Sequence, residues 1–370
     1  MSAEKQFQQL LDKADIKING NRPFDIRVHD ERLYARVLRE GSLGLGEAYM
    51  DGWWNCPQLD EFFTHVLRAR LDHDVRGNLG LLTRAAWARL TNPQTPSKSF
   101  KVGQHHYDIG NDLYQAMLDK RLTYTCGSWK SAVNLDDAQE AKLDLVCRKI
   151  GLKRGDRVLD IGCGWGSFLK FAAERYGASG VGITVSKNQV ALGRKLCKGL
   201  PVEILLQDYR EVREKFDHVI SLGMFEHVGY QNYRTYMKVA ARCLKDNGLF
   251  LLHTIGGNQS VRATDDWIGK YIFPNSMLPS LAQISSSIEE IFVMEDWHNF
   301  GSYYDKTLMA WHRNFTTNWH LIKNNYDERF FRMWTYYLLS CAGSFRARRN
   351  QLWQIVLSKN GVPGGYTSIR

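Results

Sequence analysis

Acidic and imidazole side chains follow two apolar segments of the sequence. The stretch SLGMFEHVG (221–229) follows the apolar run FDHVI, which is typical of a buried strand, and Glu226 and His227 come where that strand should end. His253 lies in a second apolar segment, LLHTIG (251–256). Acids and imidazoles are common proton-transfer groups in enzymes. Because neighbouring parallel strands end at one crevice, we expect Glu226 and His253 to point into it, and His227 to face the next helix.

A glycine-rich stretch, VLDIGCGWGS (158–167), predicts a ligand at the same edge. Asp160 ends a buried strand, and the glycines at 162, 164 and 166 let a ligand approach the backbone closely. A dinucleotide site would have the spacing G-x-G-x-x-G and an acid about 20 residues later. Here the spacing is G-x-G-x-G and the next strand ends in Thr184, which disfavours a dinucleotide. A tight turn without a ligand is the alternative, and the surrounding strands and helices disfavour it.

The composition is that of a basic globular protein. Its 370 residues carry a formal net charge of +10, which indicates an anionic partner, either nucleic acid or a membrane surface. Seven cysteines without a CxxC pair favour a reducing compartment and argue against a zinc site. The N-terminal stretch mixes charges, so we expect no signal peptide. No apolar run approaches the roughly 20 residues that span a bilayer, so a membrane would be met at its surface.

Strand and helix patterns alternate over much of the chain. This alternation predicts an α/β fold with a doubly wound, Rossmann-like parallel sheet. A helix over 136–151 is expected to begin at Asp136 or Asp137 and to end at Gly151, and another is expected to begin at Ser186. After residue 256 the pattern changes to aromatic-rich helices and a terminal strand. The predicted strands are 157–162, 179–184, 201–207, 216–223, 249–256 and 351–358.

The region before this sheet divides into a small, mainly helical part and a linker. LTNPQTPSKSFKVG (90–103) is rich in proline, serine, threonine and lysine, which is typical of a linker. The preceding stretch VRGNLGLLTRAAWARL (75–90) has no acid and alternates arginine with leucine and tryptophan. It predicts a basic helix that either lies in a lipid interface or packs on the core with solvated arginines.

Several motifs, in order, resemble those of a known family. VLDIGCGWG resembles the first motif of the S-adenosylmethionine-dependent methyltransferases, which implies a class I methyltransferase sheet. The motif GSLGLGEAYMDGWW (41–54) is similar to an additional N-terminal domain in bacterial phospholipid-modifying members, so the resemblance covers nearly the whole chain. The stretches that closely resemble the family of cyclopropane-fatty-acyl-phospholipid synthases and mycolic acid cyclopropane synthases are HHYDIGNDLY (105–114), YTCGSW (124–129), TVSKNQ (184–189), MFEHVG (224–229), LLHTIG (251–256), NFGSYYDKTLMAW (299–311) and SCAGSFRARRNQLWQ (340–354).

The resemblance implies an unusual reaction. A methyl group would pass from S-adenosylmethionine to a cis double bond of a phospholipid acyl chain, and proton loss would close a cyclopropane. The family uses a bound bicarbonate ion as the base. The positions that match its bicarbonate contacts are the Cys126 backbone, Glu226, His253, the Ile255 backbone and Tyr304. An anion beside a carboxylate is unfavourable, so we expect Glu226 to be neutral and to donate a hydrogen bond.

Cys341 has been proposed as a catalytic thiol in this family. No base is evident near it in the sequence, and the reaction needs no covalent intermediate, so a small buried cysteine is the favoured interpretation. His105, His106 and His227 are expected to be structural, because they lack the spacing of metal ligands.

The resemblance also implies the cofactor contacts. Tyr124, Thr125, Gly162, Cys163 and Gly164 would meet the methionine end, and Gly223 would lie near the methyl group. Thr184 and Gln189 would meet the ribose, although helix or turn capping is an alternative role for Thr184 and for Asp208. The remaining residues of the predicted cofactor site are Asp160, Val185 and Ser186, with Asp208 and Tyr209 at the adenine.

These inferences lead to a predicted organisation of the protein. Residues 1–89 would capture lipid or form a dimer, 90–103 would be the linker, and 104–370 would be the catalytic domain. The predicted partners are a second copy of the chain and a bilayer with cis-unsaturated acyl chains and anionic lipids, on the cytoplasmic side of the membrane. The stretch GMFE (223–226) replaces the (D/N/S)-P-P-aromatic motif of base-methylating enzymes, which argues against nucleic acid.

Two other functions remain open from the sequence. The first is an S-adenosylmethionine-dependent C-methyltransferase that acts on another lipid or a small hydrophobic acceptor. The second is a non-enzymatic basic protein that binds nucleic acid or lipid, which the combination of the cofactor strand with Glu226, His253 and Tyr304 disfavours.

Overall fold

The computed structural model describes residues 1–71 and 110–370 and contains two compact units. The first comprises the described parts of Met1–Thr91 together with Ala263–Pro274 and Tyr304–Asn350. The second comprises the described parts of Asn92–Arg262 with Asn275–Tyr303 and Gln351–Arg370. The basic stretch 75–90, the linker 90–103, and both His105 and His106 lie outside the described residues.

The secondary structure of the described residues alternates between helices and strands along most of the chain. The helices are α1 (Ala3–Asp12), α2 (Arg32–Met50), α3 (Leu59–Arg68), α4 (Asn111–Met117), α5 (Leu135–Lys149), α6 (Ser167–Tyr176), α7 (Lys187–Leu196), α8 (Tyr233–Cys243), α9 (Asp266–Tyr271), α10 (Leu281–Ile288), α11 (Ser302–Ile322) and α12 (Glu328–Arg346). The strands are β1 (Arg27–Val28), β2 (Trp54–Asn55), β3 (Arg157–Ile161), β4 (Ser179–Thr184), β5 (Val202–Leu206), β6 (Phe216–Leu222), β7 (Leu244–Gly257), β8 (Val293–Asn299) and β9 (Asn350–Ser358).

The first unit is mainly helical, as the sequence predicts for the N-terminal region. Its α12 begins where the Asp327 side chain accepts a hydrogen bond from the Phe330 N–H at 2.7 Å, which satisfies a free donor of the first turn. Tyr336 of α12 packs with its ring centroid 4.5 Å from that of Trp267 in α9. The Tyr336 ring also lies 5.5 Å from that of Tyr49 in α2, so N-terminal and C-terminal segments share one aromatic core.

The second unit is built on a seven-stranded sheet in the order β5-β4-β3-β6-β7-β9-β8. The pairs β3–β4, β4–β5, β3–β6 and β6–β7 are parallel, whereas β8 and β9 pair antiparallel at one edge. The strand order reverses beside β3, because β4 lies on one side of it and β6 on the other. In open α/β sheets a ligand binds at the carboxyl ends of the strands at such a reversal.

Alternate strand residues supply the two faces of this sheet. Leu159 of β3 and Val219 of β6 belong to a core with α8 and α10, while their neighbours Val158 and Ile220 belong to a core with α5, α6 and α7. This alternation follows from the two-residue period of a strand. Helices therefore cover both faces, and the polar groups of the strand ends are left at the carboxyl edge.

The structure corrects three details of the predicted elements. The cap of α5 is Asn134, whose side chain accepts from the Asp137 N–H at 2.9 Å, in place of the predicted Asp136 or Asp137. The strand β7 begins at Leu244 and not at residue 249. The strand β8 was not predicted, because its sequence VMEDWHN lacks an apolar alternation and the strand pairs at the edge of the sheet.

The other predicted strands are confirmed within two residues at each end, and the ends of α5 and α7 at Gly151 and Ser186 are also confirmed. The predicted boundaries near residues 89 and 103 fall outside the described residues. None of the helices described in 1–71 and 110–370 is long and apolar enough to cross a membrane.

Candidate active site

The turn after β3 presents bare backbone at the carboxyl edge. Gly162 and Gly164 have φ values of 85° and 55°, a region that side chains other than glycine rarely adopt. The N–H groups of Gly162 and Cys163 both donate to the carbonyl of Ile183 at 3.0 and 3.1 Å. A Cβ at position 162 would lie 2.6 Å from the Met224 side chain, so the close approach of the two turns requires glycine.

Asp160 lies beneath this turn and is buried. Its Oδ1 has no hydrogen-bond partner among the described residues. Burial raises the pKa of its carboxyl to about 7, and the positive charge of Lys142 opposes that shift. An unpartnered buried carboxyl oxygen is costly unless a ligand supplies a donor, which agrees with the predicted place of Asp160 in a cofactor site.

The predicted ribose contacts, Thr184 and Gln189, lie together after β4. Thr184 Oγ1 donates to Gln189 Oε1 at 2.6 Å and accepts from the Ser186 N–H at 3.2 Å. Ser186 caps α7 by accepting from the Gln189 N–H at 3.3 Å. Val185 follows Thr184 and is half-buried. Thr184 therefore has the local turn role that the sequence left open, and its hydroxyl is held beside the amide of Gln189.

Asp208 and Tyr209 follow β5, as predicted for residues at an adenine. The Asp208 carboxylate accepts from the Arg210 N–H and from Arg210 Nη1, both at 2.9 Å, so it also caps the short turn. The Tyr209 ring packs 5.0 Å from that of Tyr236, and its hydroxyl has no partner among the described residues. Burial raises the pKa of that hydroxyl to about 12, which keeps it a neutral donor.

The segment that holds Tyr124 and Thr125 is fixed by the helix α5. Gln139 Nε2 donates to the Thr125 carbonyl at 2.6 Å, and Lys142 Nζ donates to Thr125 Oγ1 at 2.8 Å. Thr125 also meets Gly223, where an added Cβ would lie 2.6 Å from Thr125 Cγ2. The turn after β6 and the segment 123–126 are thus in direct contact, and Gly223 has a φ of 73°.

Glu226 follows β6, and His253 lies in the neighbouring strand β7. Both residues are buried. The Gly223 N–H donates to the His253 carbonyl at 2.9 Å and joins the two strand ends. Neither Glu226 Oε2 nor His253 Nε2 has a hydrogen-bond partner among the described residues. The sheet therefore brings an acid and an imidazole, each with an unused polar atom, to one edge.

The electrostatics of this pair favour neutral forms. Burial raises the pKa of Glu226 to about 7, although the Ile255 N–H, which donates to Oε1 at 2.7 Å, opposes the shift. Burial lowers the pKa of His253 well below its usual value, and the charges of Lys142 and Lys149 act in the same direction. In this structure the Ile255 N–H serves Glu226, while its predicted contact with an anion stays a prediction.

The remaining predicted residues occupy three different places. Cys126 is buried in the second unit, next to Thr125. Tyr304 and Cys341 belong to the first unit, where the Tyr304 ring lies 4.6 Å from that of Phe345. Cys341 is half-buried and not fully buried as predicted, and the loss of solvation raises the pKa of its thiol to about 12, which disfavours a thiolate. His227 is half-buried, and burial lowers its pKa to about 4.

Two buried polar residues beside the site were not identified from the sequence. Lys142 is fully buried in α5, and Gln354 is fully buried in β9, where its amide nitrogen contacts His253. Gln354 could have been found from the sequence, because it is a polar residue inside the apolar strand QLWQIVLS. Lys142 gave no such signal, because a lysine in a helix rich in charged residues is usually exposed.

The sheet has the features of a class I S-adenosylmethionine-dependent methyltransferase. The strand order reverses beside β3, a glycine turn follows β3, and the edge formed by β8 and β9 is antiparallel. Within that class, the model of the mycolic acid cyclopropane synthetase family matches residues 94–355. This match spans most of the sequence, and the chain belongs to that family.

Individual relatives agree with this assignment. The chain is 54% identical over 357 residues to the cyclopropane-fatty-acyl-phospholipid synthase of Escherichia coli K12, covering 96% of this chain and 93% of the relative. The cyclopropane synthase MmaA2 from Mycobacterium tuberculosis is 29% identical with a TM-score of 0.68, covering 72% of this chain and 100% of its own. The mycolic acid cyclopropane synthase CmaA1, solved with SAH and CTAB, is 30% identical with a TM-score of 0.66, covering 70% and 98%.

Proposed function

We propose that this enzyme transfers a methylene group from S-adenosylmethionine to the cis double bond of an acyl chain in a membrane phospholipid. The observation that carries the proposal is the high identity to the E. coli synthase over nearly the entire chain. The solved cyclopropane synthases MmaA2 and CmaA1, in contrast, match only about 70% of this chain. The additional N-terminal residues are therefore shared with a relative named for a phospholipid substrate.

The reaction balances without a covalent enzyme intermediate. The S–CH₃ bond breaks with its electron pair left on sulfur, and the electron pair of the alkene forms the new C–C bond. The adjacent carbon becomes cationic, the new methyl group loses a proton, and the electrons of that C–H bond close the ring. Because an alkene is a weak nucleophile, the protein must hold it in line with the methyl group and exclude water.

The second unit has groups that suit the cofactor. Gly162, Gly164 and Gly223 have no side chain at the strand reversal and so leave room for a ligand, Asp160 has a carboxyl oxygen without a partner among the described residues, and Thr184 is fixed beside Gln189. These residues would bind S-adenosylmethionine, and a solved relative in complex with SAH supports the identity of the cofactor. Gly223 contacts Thr125, so both would lie near the transferred methyl group.

Glu226 and His253 suit an anion. A neutral carboxyl group donates through O–H and a neutral imidazole through N–H, and both residues have an unpartnered buried polar atom. Bicarbonate, when bound, would supply the base that accepts the methyl proton. Glu226 would stay protonated and donate to it, with His253 donating from the next strand. The backbones of Cys126 and Ile255 and the hydroxyl of Tyr304 are the further proposed contacts.

The membrane and a second copy of the chain are the proposed partners. The net charge of +10 favours an anionic lipid surface on the cytoplasmic side. We assign lipid capture or dimerisation to residues 1–89, with 90–103 as the linker and 104–370 as the catalytic domain. Flotation with anionic and with neutral vesicles, beside a DNA gel shift, tests the lipid partner, and the mass in solution tests the dimer.

The decisive experiment is an analysis of the product. The protein is incubated with S-adenosylmethionine and vesicles of cis-unsaturated phospholipid, and the fatty acids are examined by mass spectrometry before and after hydrogenation. A product one methylene heavier that resists hydrogenation is a cyclopropane and supports the proposal. A methyl-branched unsaturated product, which takes up hydrogen, would instead favour a C-methyltransferase. No product from folded protein that binds S-adenosylmethionine would reject both reactions.

The role of Glu226 is tested with Glu226→Gln and Glu226→Ala at saturating bicarbonate. Glutamine keeps a hydrogen-bond donor in the same place, so Glu226→Gln should retain more activity than Glu226→Ala. Equal loss in the two variants, with S-adenosylmethionine still bound, would reject the donor role.

A further inference from the structure

One buried contact beside the candidate site has no role in the predictions from the sequence. Gln354 Nε2 lies 3.2 Å from Nδ1 of His253, and both residues are almost fully inaccessible to solvent. Gln354 lies in β9, the strand beside β7, and is flanked by apolar residues. A buried amide in such a strand is costly unless its hydrogen bond is used, so the contact requires an explanation.

The chemistry of the two groups fixes the position of a proton. An amide nitrogen donates hydrogen bonds and cannot accept them, so Nδ1 of His253 must be the acceptor. A neutral imidazole has one N–H, and its hydrogen is therefore on Nε2. Burial lowers the pKa of His253, which agrees with the neutral form.

The strands are packed so that this contact can form. The ring of Trp353 occupies the space where a side chain on Gly256 would begin, so β7 and β9 approach closely next to His253. His253 is also bounded by Phe300, whose ring centroid lies 6.0 Å from that of the imidazole. The His253 carbonyl accepts from the Gly223 N–H at 2.9 Å, which fixes its backbone. The ring therefore has a defined position as well as a defined partner.

We propose that Gln354 is a positioning residue that holds His253 as the tautomer with its hydrogen on Nε2. Nε2 is the ring atom without a partner among the described residues, so the N–H is available to a ligand. His253 then donates a hydrogen bond at the site and does not accept the proton. This consequence for catalysis rests on the proposed function, whereas the tautomer itself does not.

The tautomer is measured directly in the folded full-length protein. Histidine-labelled ¹⁵N protein gives long-range ¹H–¹⁵N correlations that distinguish a protonated from an unprotonated ring nitrogen, and His253→Asn identifies the signal among 11 histidines. We expect hydrogen on Nε2 in the wild type. Hydrogen on Nδ1 would overturn the proposal, whatever reaction the enzyme performs.

The variant Gln354→Met keeps the size of the side chain and removes the amide. A neutral hydrogen bond typically contributes up to about 10-fold, so we expect kcat and the response to bicarbonate to fall by about this factor, with the S-adenosylmethionine affinity unchanged. The His253 signal should change to a mixture of tautomers. Unchanged activity and an unchanged signal would overturn the proposal.

The matched control is Gln351→Met in the same strand. Gln351 is also buried, but its Oε1 accepts from Asn299 Nδ2 at 3.1 Å, a partner in β8. The control should keep the wild-type His253 signal. A product assay without cyclopropane, together with hydrogen on Nε2, would reject the proposed reaction and leave the positioning role intact.

Discussion

Lys142 is fully buried, and its ammonium group donates to the hydroxyl of Thr125 at 2.8 Å. Burial lowers the pKa of this lysine to about 8, while the nearby carboxyl groups of Asp119 and Asp160 oppose the shift. Lysine is almost never fully buried without a partner. Within the described part of the chain, the hydroxyl of Thr125 is the hydrogen-bond partner of this lysine, and Thr125 lies in a segment predicted to meet the cofactor.

Replacing Lys142 by methionine should weaken cofactor binding. The change keeps the aliphatic stem but removes a charge-assisted hydrogen bond, which is typically worth about 1.5–3 kcal/mol. We expect the affinity for S-adenosylmethionine to fall about 10-fold or more, as measured by calorimetry. Lys149→Met is the matched control, because Lys149 is equally buried in α5 but its Nζ contacts His298 Nδ1 at 3.0 Å. An unchanged affinity in Lys142→Met would contradict this interpretation.

Glu226 should make the stability of the ligand-free protein depend on pH. Its pKa rises from 4.5 to about 7 on folding, so between these values the folded state binds more protons than the unfolded state. Stability from this group is therefore present below pH 4.5 and is lost as the pH rises to about 7. Relative to the wild type, Glu226→Gln should gain up to about 3 kcal/mol at pH 8 and almost nothing at pH 4.5.

The measurement is urea unfolding of the two proteins at both pH values. Because other groups titrate equally in both proteins, they cancel in the difference. The exposed Glu203→Gln is the control and should show a small, constant difference. If Glu226→Gln changes the free energy of unfolding by the same amount at pH 4.5 and at pH 8, the pKa of the Glu226 carboxyl group is not raised in the folded state.

Gly223→Ala should impair the site beyond its effect on the backbone. Gly223 and Gly199 have φ values of 73° and 84°, so alanine at either position costs about 1–2 kcal/mol of unfolding free energy. Only at position 223 would the new Cβ also approach Thr125, at 2.6 Å, whereas position 199 has open space. We expect a loss of stability in both variants that is larger in Gly223→Ala because of the clash, and a loss of S-adenosylmethionine affinity above 10-fold in Gly223→Ala alone. Equal affinities in the two variants would reject the close contact.

Cys341→Ala should retain activity within about 3-fold, because burial raises the pKa of the thiol to about 12 and leaves almost no thiolate at neutral pH. Alkylation of Cys341 by iodoacetamide at pH 7, followed by mass spectrometry of its peptide, should be slow in the folded protein and fast in urea. Rapid alkylation in the folded state, or a large loss of activity in the alanine variant, would assign the thiol a chemical role.

The sheet was predictable because its information is local. The strand over 157–161 and the glycines after it follow from apolar runs and from turn geometry, which neighbouring residues determine. Glu226 and His253 were placed at one edge for the same reason, since parallel strands end together. The family motifs added the cofactor residues, which spacing alone does not identify.

The contacts that support the site were less accessible from the sequence. Gln354 lies 101 residues from His253 in the chain, and Lys142 lies 17 residues from Thr125, so each pairing depends on the packing of separate elements. The strand β8 is stabilised by its antiparallel partner and not by its own apolar pattern. Such long-range partners become visible only when the strand order and register are known.

The order of the strands also separates substitutions that would affect the proposed cofactor site from substitutions that would affect Glu226, His253 and Gln354. Most of the strand-end residues proposed for the cofactor follow β3, β4 and β5, with Gly223 after β6 as the exception. Glu226, His253 and Gln354 belong to or follow β6, β7 and β9 on the other side of the reversal. If the proposed roles hold, substitutions on the second side would alter the fate of the methylated acyl chain while the methyl donor stays bound. The same fold could thereby give different products during evolution while it continues to bind the methyl donor.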